Sequence, residues 1–234
     1  MAMGSVMVTG SNRGLGLEWV RQYAAAGWRV YATCRVPDQA DDLQRLRSQN
    51  PNVSVHRLDV TEPDQVGQMA VQLGDSPLDV LINNAGIYRE RWGKDQFGRI
   101  DYADWLDTFA VNTLGAMRVS EALVDSLARS ERRLSVAISS HMGSIADIGA
   151  PNDYAYRSSK AALNAAMKGL SLDLARRGIG VLILHPGWVR TRMGGDQAPL
   201  APSESVTGMR GLIDRFRQDL SGHFYRYDGT EIPW

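Results

Sequence analysis

Short apolar runs along this chain are separated by longer segments in which apolar residues recur at helical spacing, and that alternation admits few architectures. Strands are expected at residues 5–9, 29–34, 53–58, 80–83, 134–139 and 181–185, with a weaker one at 223–227. Helices are expected at 15–26, 37–48, 63–73, 102–130, 155–177 and 203–220. Val80-Leu81-Ile82 and Val181-Leu182-Ile183-Leu184 lack polar alternation, as parallel strands buried on both faces do. The pattern implies an α/β fold: a doubly wound, Rossmann-like parallel sheet of about seven strands with helices on both faces, in a single domain over 1–234.

Composition narrows the partners. Lys and Arg together number 26, as do Asp and Glu, so no basic surplus is available for nucleic acid or an anionic membrane. A small-molecule partner is expected instead. The single cysteine, Cys34, excludes an internal disulfide, and the four histidines are scattered without ligand spacing, so no metal is expected. The amino terminus has neither a basic segment nor an apolar core, and every apolar run is too short to span a bilayer, which leads to the expectation of a cytoplasmic protein.

Two stretches interrupt the alternation, 87–101 and 187–202. Both follow the carboxyl ends of strands, where ligands bind in such sheets. The first strand itself runs into Thr9-Gly10-Ser11-Asn12-Arg13-Gly14-Leu15-Gly16, directly before an amphipathic segment. Glycines there let the backbone turn tightly and approach a pyrophosphate, whose charge is favoured at a helix start. At the end of the second strand, where an acid would bind a ribose 2′-hydroxyl, Ala32-Thr33-Cys34-Arg35 has none. Arg35 and Arg13 can instead converge on a 2′-phosphate, which favours NADP(H) as the cofactor.

Tyr156 and Lys160 are four residues apart in an expected helix and so share a face. A cation beside a phenol favours the phenolate and moves its pKa toward neutrality, as an acid–base group requires. Ser140 ends the fifth strand sixteen residues before Tyr156, and Ser144 is the alternative serine.

With these motifs in order, the chain resembles the short-chain dehydrogenase/reductase family along nearly all of its length. Thr9, Gly10, Gly14 and Gly16 match the cofactor turn; Asp59-Val60 match the adenine-contacting pair; Asn83-Asn84-Ala85-Gly86 match the element after the fourth strand. Asn112, Ser140, Tyr156 and Lys160 match the catalytic set, and Pro186-Gly187 with Thr191 match the segment that covers the nicotinamide. The run 155–164 and the ending Asp228-Gly229-Thr230-Glu231-Ile232-Pro233-Trp234 resemble the C-factor and sniffer-type carbonyl reductases.

The resemblance implies NADPH-dependent reduction of an aldehyde or ketone. Tyr156 would protonate the developing alkoxide, Lys160 would lower its pKa and hold the nicotinamide ribose, Ser140 would bind the carbonyl oxygen, and Asn112 would fix a water leading to Lys160. Cofactor contacts are expected from Gly10, Ser11, Asn12, Arg13, Gly14, Leu15, Gly16, Arg35, Asp59, Val60, Asn84, Ala85, Gly86, Tyr156, Lys160, Pro186, Gly187, Val189 and Thr191. Asp59 can equally cap the turn into the following helix. Substrate contacts are expected from Tyr88, His141, Met142 and Trp188, with Trp92, Tyr154 and Met193 in the same loops. Relatives of the C-factor type bring a second reading, a signalling protein that keeps the cofactor fold with little turnover. The family also implies a homodimer or homotetramer through helices 102–130 and 155–177, most of whose apolar residues, among them Leu106 and Leu114, are expected to face the sheet.

Overall fold

The computed structural model describes residues 4–90 and 97–234. Its strands are β1 (Ser5–Val8), β2 (Arg29–Cys34), β3 (Val53–Arg57), β4 (Val80–Asn83), β5 (Leu134–Ile138), β6 (Gly180–His185) and β7 (Phe224–Arg226). They form one parallel sheet in the order β3-β2-β1-β4-β5-β6-β7. All seven expected strands are present. Strand β1 lies inside the sheet, with Val6 opposite Val30 of β2 on one side and Val80 of β4 on the other. The chain winds outward from β1 to β3 and then returns to β4, so the loops after β1 and β4 diverge and leave a crevice at the carboxyl edge.

The helices are α1 (Gly14–Ala25), α2 (Asp41–Gln49), α3 (Pro63–Leu73), α4 (Tyr102–Phe109), α5 (Ala116–Ala122), α6 (Val124–Ala128), α7 (Tyr154–Leu174) and α8 (Pro202–Asp214). Successive strand residues point to opposite faces, and two cores follow from this. Val6 and Val8 of β1 pack with Trp19 and Tyr23 of α1 and Met209 of α8. Met7, between them in sequence, packs with Met69 of α3, Val119 of α5, and Leu163 and Met167 of α7. Leu163 and Met167 fix the inner face of α7, so truncating either to Ala costs about 2–5 kcal/mol.

The expected helix over 102–130 is interrupted. A π-helical turn, Ala110–Gly115, joins α4 to α5, and the backbone breaks again at Leu123 before α6. The wide turn directs Asn112 and Thr113 inward, where the Thr113 hydroxyl donates to the Ser159 carbonyl oxygen at 2.8 Å. Gly115 lies against Val60, and a Cβ there would come within 2.6 Å of its Cγ2. Such insertions recur at functional sites. Leu106 and Leu114 are 74% and 53% exposed, against expectation, because α4 and the π-helical turn that carries Leu114 pack on α7 rather than on the sheet. Among the described residues, no helix is long and apolar enough to cross a membrane, and no cluster of three or more His, Cys, Asp or Glu side chains could hold a metal.

Candidate active site

A cleft of about 630 Å³ runs along the carboxyl edge of β1, β2 and β4, within the range of small-molecule sites. Gly10, Asn12, Arg13, Gly14, Leu15, Gly16, Arg35, Asp59, Val60, Asn84, Ala85, Gly86, Pro186 and Thr191 line it, as do Tyr156 and Lys160. The glycine turn is held by the strand beside it. The Thr9 hydroxyl oxygen accepts from the amides of Asn84 and Ala85, each at 3.0 Å, and the Asn84 side chain donates to the carbonyl oxygens of Thr9 and Gly10. Gly14 has φ +56, and a Cβ on Gly16 would lie 2.1 Å from the Gly10 carbonyl oxygen, so neither position accepts a side chain. No capping side chain and no acid occupies the first turn of α1, which leaves its amides free for an anion.

Three expected cofactor residues shape the cleft from behind rather than lining it. Ser11 is fully buried and donates to the Val8 carbonyl oxygen at 2.7 Å. Gly187 packs against Leu200 and Tyr227, and Val189 bridges to Leu200, so both fold the β6–α8 loop back on itself. The Asp59 carboxylate accepts from the amide and hydroxyl of Thr61 in the turn before α3, and Asp59 also lines the cleft.

At the inner end of the cleft, Tyr156 is 7% exposed, with the Ser140 side chain beside its phenol. Burial pushes the phenol up to about 12, while the neighbouring Ser140 hydroxyl opposes the shift. This differs from the expected lowering by Lys160. The ammonium is 5.9 Å from the Tyr156 ring centroid and donates to the Ile138 carbonyl oxygen at 2.9 Å, and burial brings Lys160 itself down to about 8. Ser140 also accepts from the Met142 amide at 3.2 Å, whereas the buried Ser144 hydroxyl has no hydrogen-bond partner among the described residues. Asn112 clamps Ile87, accepting from its amide at 2.8 Å and donating to its carbonyl oxygen at 2.9 Å, and also donates to Ser159.

The expected substrate residues separate. Tyr88 lines the cleft together with Met193. Met142 and Tyr154 instead line an apolar groove of about 400 Å³ with Trp105 and Ile148, on the outer side of α7, and this groove shares no lining residue with the cleft. His141 is paired to Asp147 at 2.6 Å, and exposed Trp188 donates to the Gly194 carbonyl oxygen. Trp92 lies outside the described residues.

A family model described as short chain dehydrogenase matches residues 5–199, well over half of the chain. The chain belongs to the short-chain dehydrogenase family. Among its relatives is the C-signal protein of Myxococcus xanthus, 44% identical over 165 residues that span 70% of this chain and 98% of the relative. The fold superposes on the NADPH-bound carbonyl reductase from chicken fatty liver with TM-score 0.93, at 33% identity over the full length of both chains. It superposes on the carbonyl reductase Sniffer of D. melanogaster with TM-score 0.92, also at 33% identity, over 99% of this chain and 100% of the other.

In this short-chain dehydrogenase, Tyr156 makes contacts that the sequence did not signal. Glu90 is 2% exposed and accepts from the amides of Ala155 and Tyr156, each at 2.6 Å. Tyr88 stacks on Tyr156 with ring centroids 4.2 Å apart and donates to the Asp153 carboxylate at 2.5 Å. Cys34, Thr61, Ile87 and Arg192 also line the cleft. A loop acid gives no periodicity to read, and only the fold brings residue 90 to residue 156.

Proposed function

We propose that this chain is an NADPH-dependent carbonyl reductase that converts an aldehyde or ketone to an alcohol. The observation that carries the reading is the buried Tyr156 phenol, with Lys160 over its ring and Ser140 beside it, at the inner end of a cleft that begins at the glycine turn. Two of the solved relatives are themselves carbonyl reductases by name, one of them crystallised with NADPH.

The cleft fits that cofactor. Gly14 and Gly16 leave room for a backbone approach to the pyrophosphate, the uncapped start of α1 favours its charge, and exposed Arg13 and Arg35 suit a 2′-phosphate. When bound, NADPH supplies the hydride. Tyr156 donates its phenolic proton to the substrate oxygen as negative charge develops there. The Ser140 hydroxyl holds that oxygen by a hydrogen bond. A phenol raised by burial stays protonated at neutral pH, which suits a proton donor in the reducing direction. Lys160 holds the nicotinamide ribose, and Asn112 orders the turn after β4 and the water path to Lys160. Ile87 and Met193 on the cleft wall favour an apolar or aromatic carbonyl compound of modest size.

The test is NADPH consumption across a panel of apolar aldehydes and ketones, with NADPH and NADH affinities titrated for wild type, Arg13→Ala and Arg35→Ala. Turnover of apolar carbonyls is expected, with each arginine variant weakening NADPH about tenfold and leaving NADH unchanged. No turnover, or equal affinity for both cofactors, contradicts the reading. The C-signal relative favours a second reading, in which the same site binds cofactor but signals without turnover. We also propose that exposed Leu106, Leu114 and Leu172 on α4, the π-helical turn and α7 pair two or more copies of the chain. Light scattering at micromolar concentration is expected to give an oligomer, and a monomeric mass rejects the pairing.

A further inference from the structure

The first turn of α7 is fastened by residues far away in sequence. Its own cap residue, Asp153, has φ +58 and makes no side-chain bond to the helix amides. Its carboxylate instead accepts the Tyr88 hydroxyl at 2.5 Å. The capping falls to Glu90, whose two carboxylate oxygens accept from Ala155 and Tyr156, one amide each. Such bonds are charge-assisted, and the helix dipole adds to them. The exchange is therefore reciprocal: the loop after β4 supplies the cap of α7, and α7 supplies the acceptor for the loop.

Tyr156 lies at the centre of this exchange. Its backbone amide is one of the two that Glu90 holds, and its ring is covered by Tyr88, with the planes 25° apart. Offset stacking at this separation restricts the rotation of a partner ring, and the Asp153 bond restricts Tyr88 in turn. The same loop passes through Gly86, where a Cβ would come within 3.3 Å of Asn112 Oδ1 and 3.6 Å of Lys160 Nζ. One short stretch of chain thus joins the cofactor floor to the ring and the backbone of the tyrosine.

We propose that Glu90 and Tyr88 are positioning residues for Tyr156: Glu90 fixes the backbone from which the phenol projects, and Tyr88 fixes the plane of its ring. Both act through Tyr156 on proton transfer, and the inference rests on the reading of Tyr156 as proton donor. A substrate-contact role for Tyr88 would appear in KM. A positioning role appears in kcat, since misplacing a proton donor by an ångström slows the step without weakening binding.

The test measures kcat, carbonyl KM and NADPH Kd for Glu90→Ala, Glu90→Gln, Tyr88→Leu and Tyr88→Phe, each in the wild-type and Tyr156→Phe backgrounds. Glu90→Ala and Tyr88→Leu are expected to lower kcat at least ~10-fold with KM and Kd within about twofold, and Glu90→Gln and Tyr88→Phe to recover most of the loss. In the Tyr156→Phe background neither substitution should lower the residual rate further, because each acts through the missing hydroxyl. Circular dichroism checks the fold, and if Glu90→Ala does not fold, half-buried Tyr88 carries the test alone. Wild-type kcat in both loop variants, a raised KM with unchanged kcat, or losses that add in the Tyr156→Phe background would overturn the proposal. Full activity of Tyr156→Phe alone would instead remove the reading on which it rests.

Discussion

At the scale of single residues, the decisive contrast is between Ser140 and Ser144. The sequence leaves both open, because sixteen residues separate Ser140 from Tyr156 and the nearer serine competes for the same task. In the fold, Ser140 reaches the phenol, while the Ser144 hydroxyl is buried without a partner among the described residues. Removing an unpaired buried hydroxyl costs little, whereas removing a donor aimed at developing charge is costly. Ser140→Ala is therefore expected to lower kcat about 100-fold, and Ser144→Ala to keep both activity and thermal midpoint. Steady-state kinetics and a melting curve check both, and equal losses in the two variants contradict the assignment. Tyr156, Lys160 and Asn112 were legible because their spacing and neighbours match a family pattern. Glu90 was not, since its significance lies in a contact across 65 residues of chain.

Among the elements, strands proved easier to read than helices. A strand buried on both faces announces itself as a continuous apolar run, and Val181 to Leu184 became part of β6. The 102–130 stretch reads as one helix because no proline within it marks the π-helical turn, yet that turn is what directs Asn112 at Ile87. The glycine turn was legible as a motif, and its tightness became visible only in three dimensions. Gly16→Ala would drive a Cβ into the Gly10 carbonyl oxygen, so α1 must shift outward and the cleft floor with it. NADPH affinity is expected to fall at least ~100-fold with the sheet intact, as read by cofactor fluorescence alongside circular dichroism. Wild-type affinity in that variant would show that the turn does not set the cofactor approach.

For the whole molecule, the same burial that tunes the site has a stability consequence. Lys160 is held down to about 8 from 10.5, so between these values the unfolded chain binds more protons than the folded one. Stability from this group is full above pH 10.5 and is lost as pH falls through 8. Relative to Lys160→Met, wild-type protein is thus expected to gain on the order of 3 kcal/mol between neutral pH and pH 10.5. Denaturant unfolding of both proteins measures it, and parallel pH profiles contradict it. The overall architecture was legible because alternating strand and helix periods leave a doubly wound sheet as the natural solution, whereas which loop side chains meet over the crevice depends on packing that no local pattern encodes. The central claim is that this fold positions Tyr156 as the proton donor of a carbonyl reductase. Its most direct test is Tyr156→Phe, with carbonyl turnover and NADPH binding measured on the same preparation. The account predicts that turnover falls about 1000-fold while NADPH affinity stays within about twofold, and unchanged turnover would contradict it.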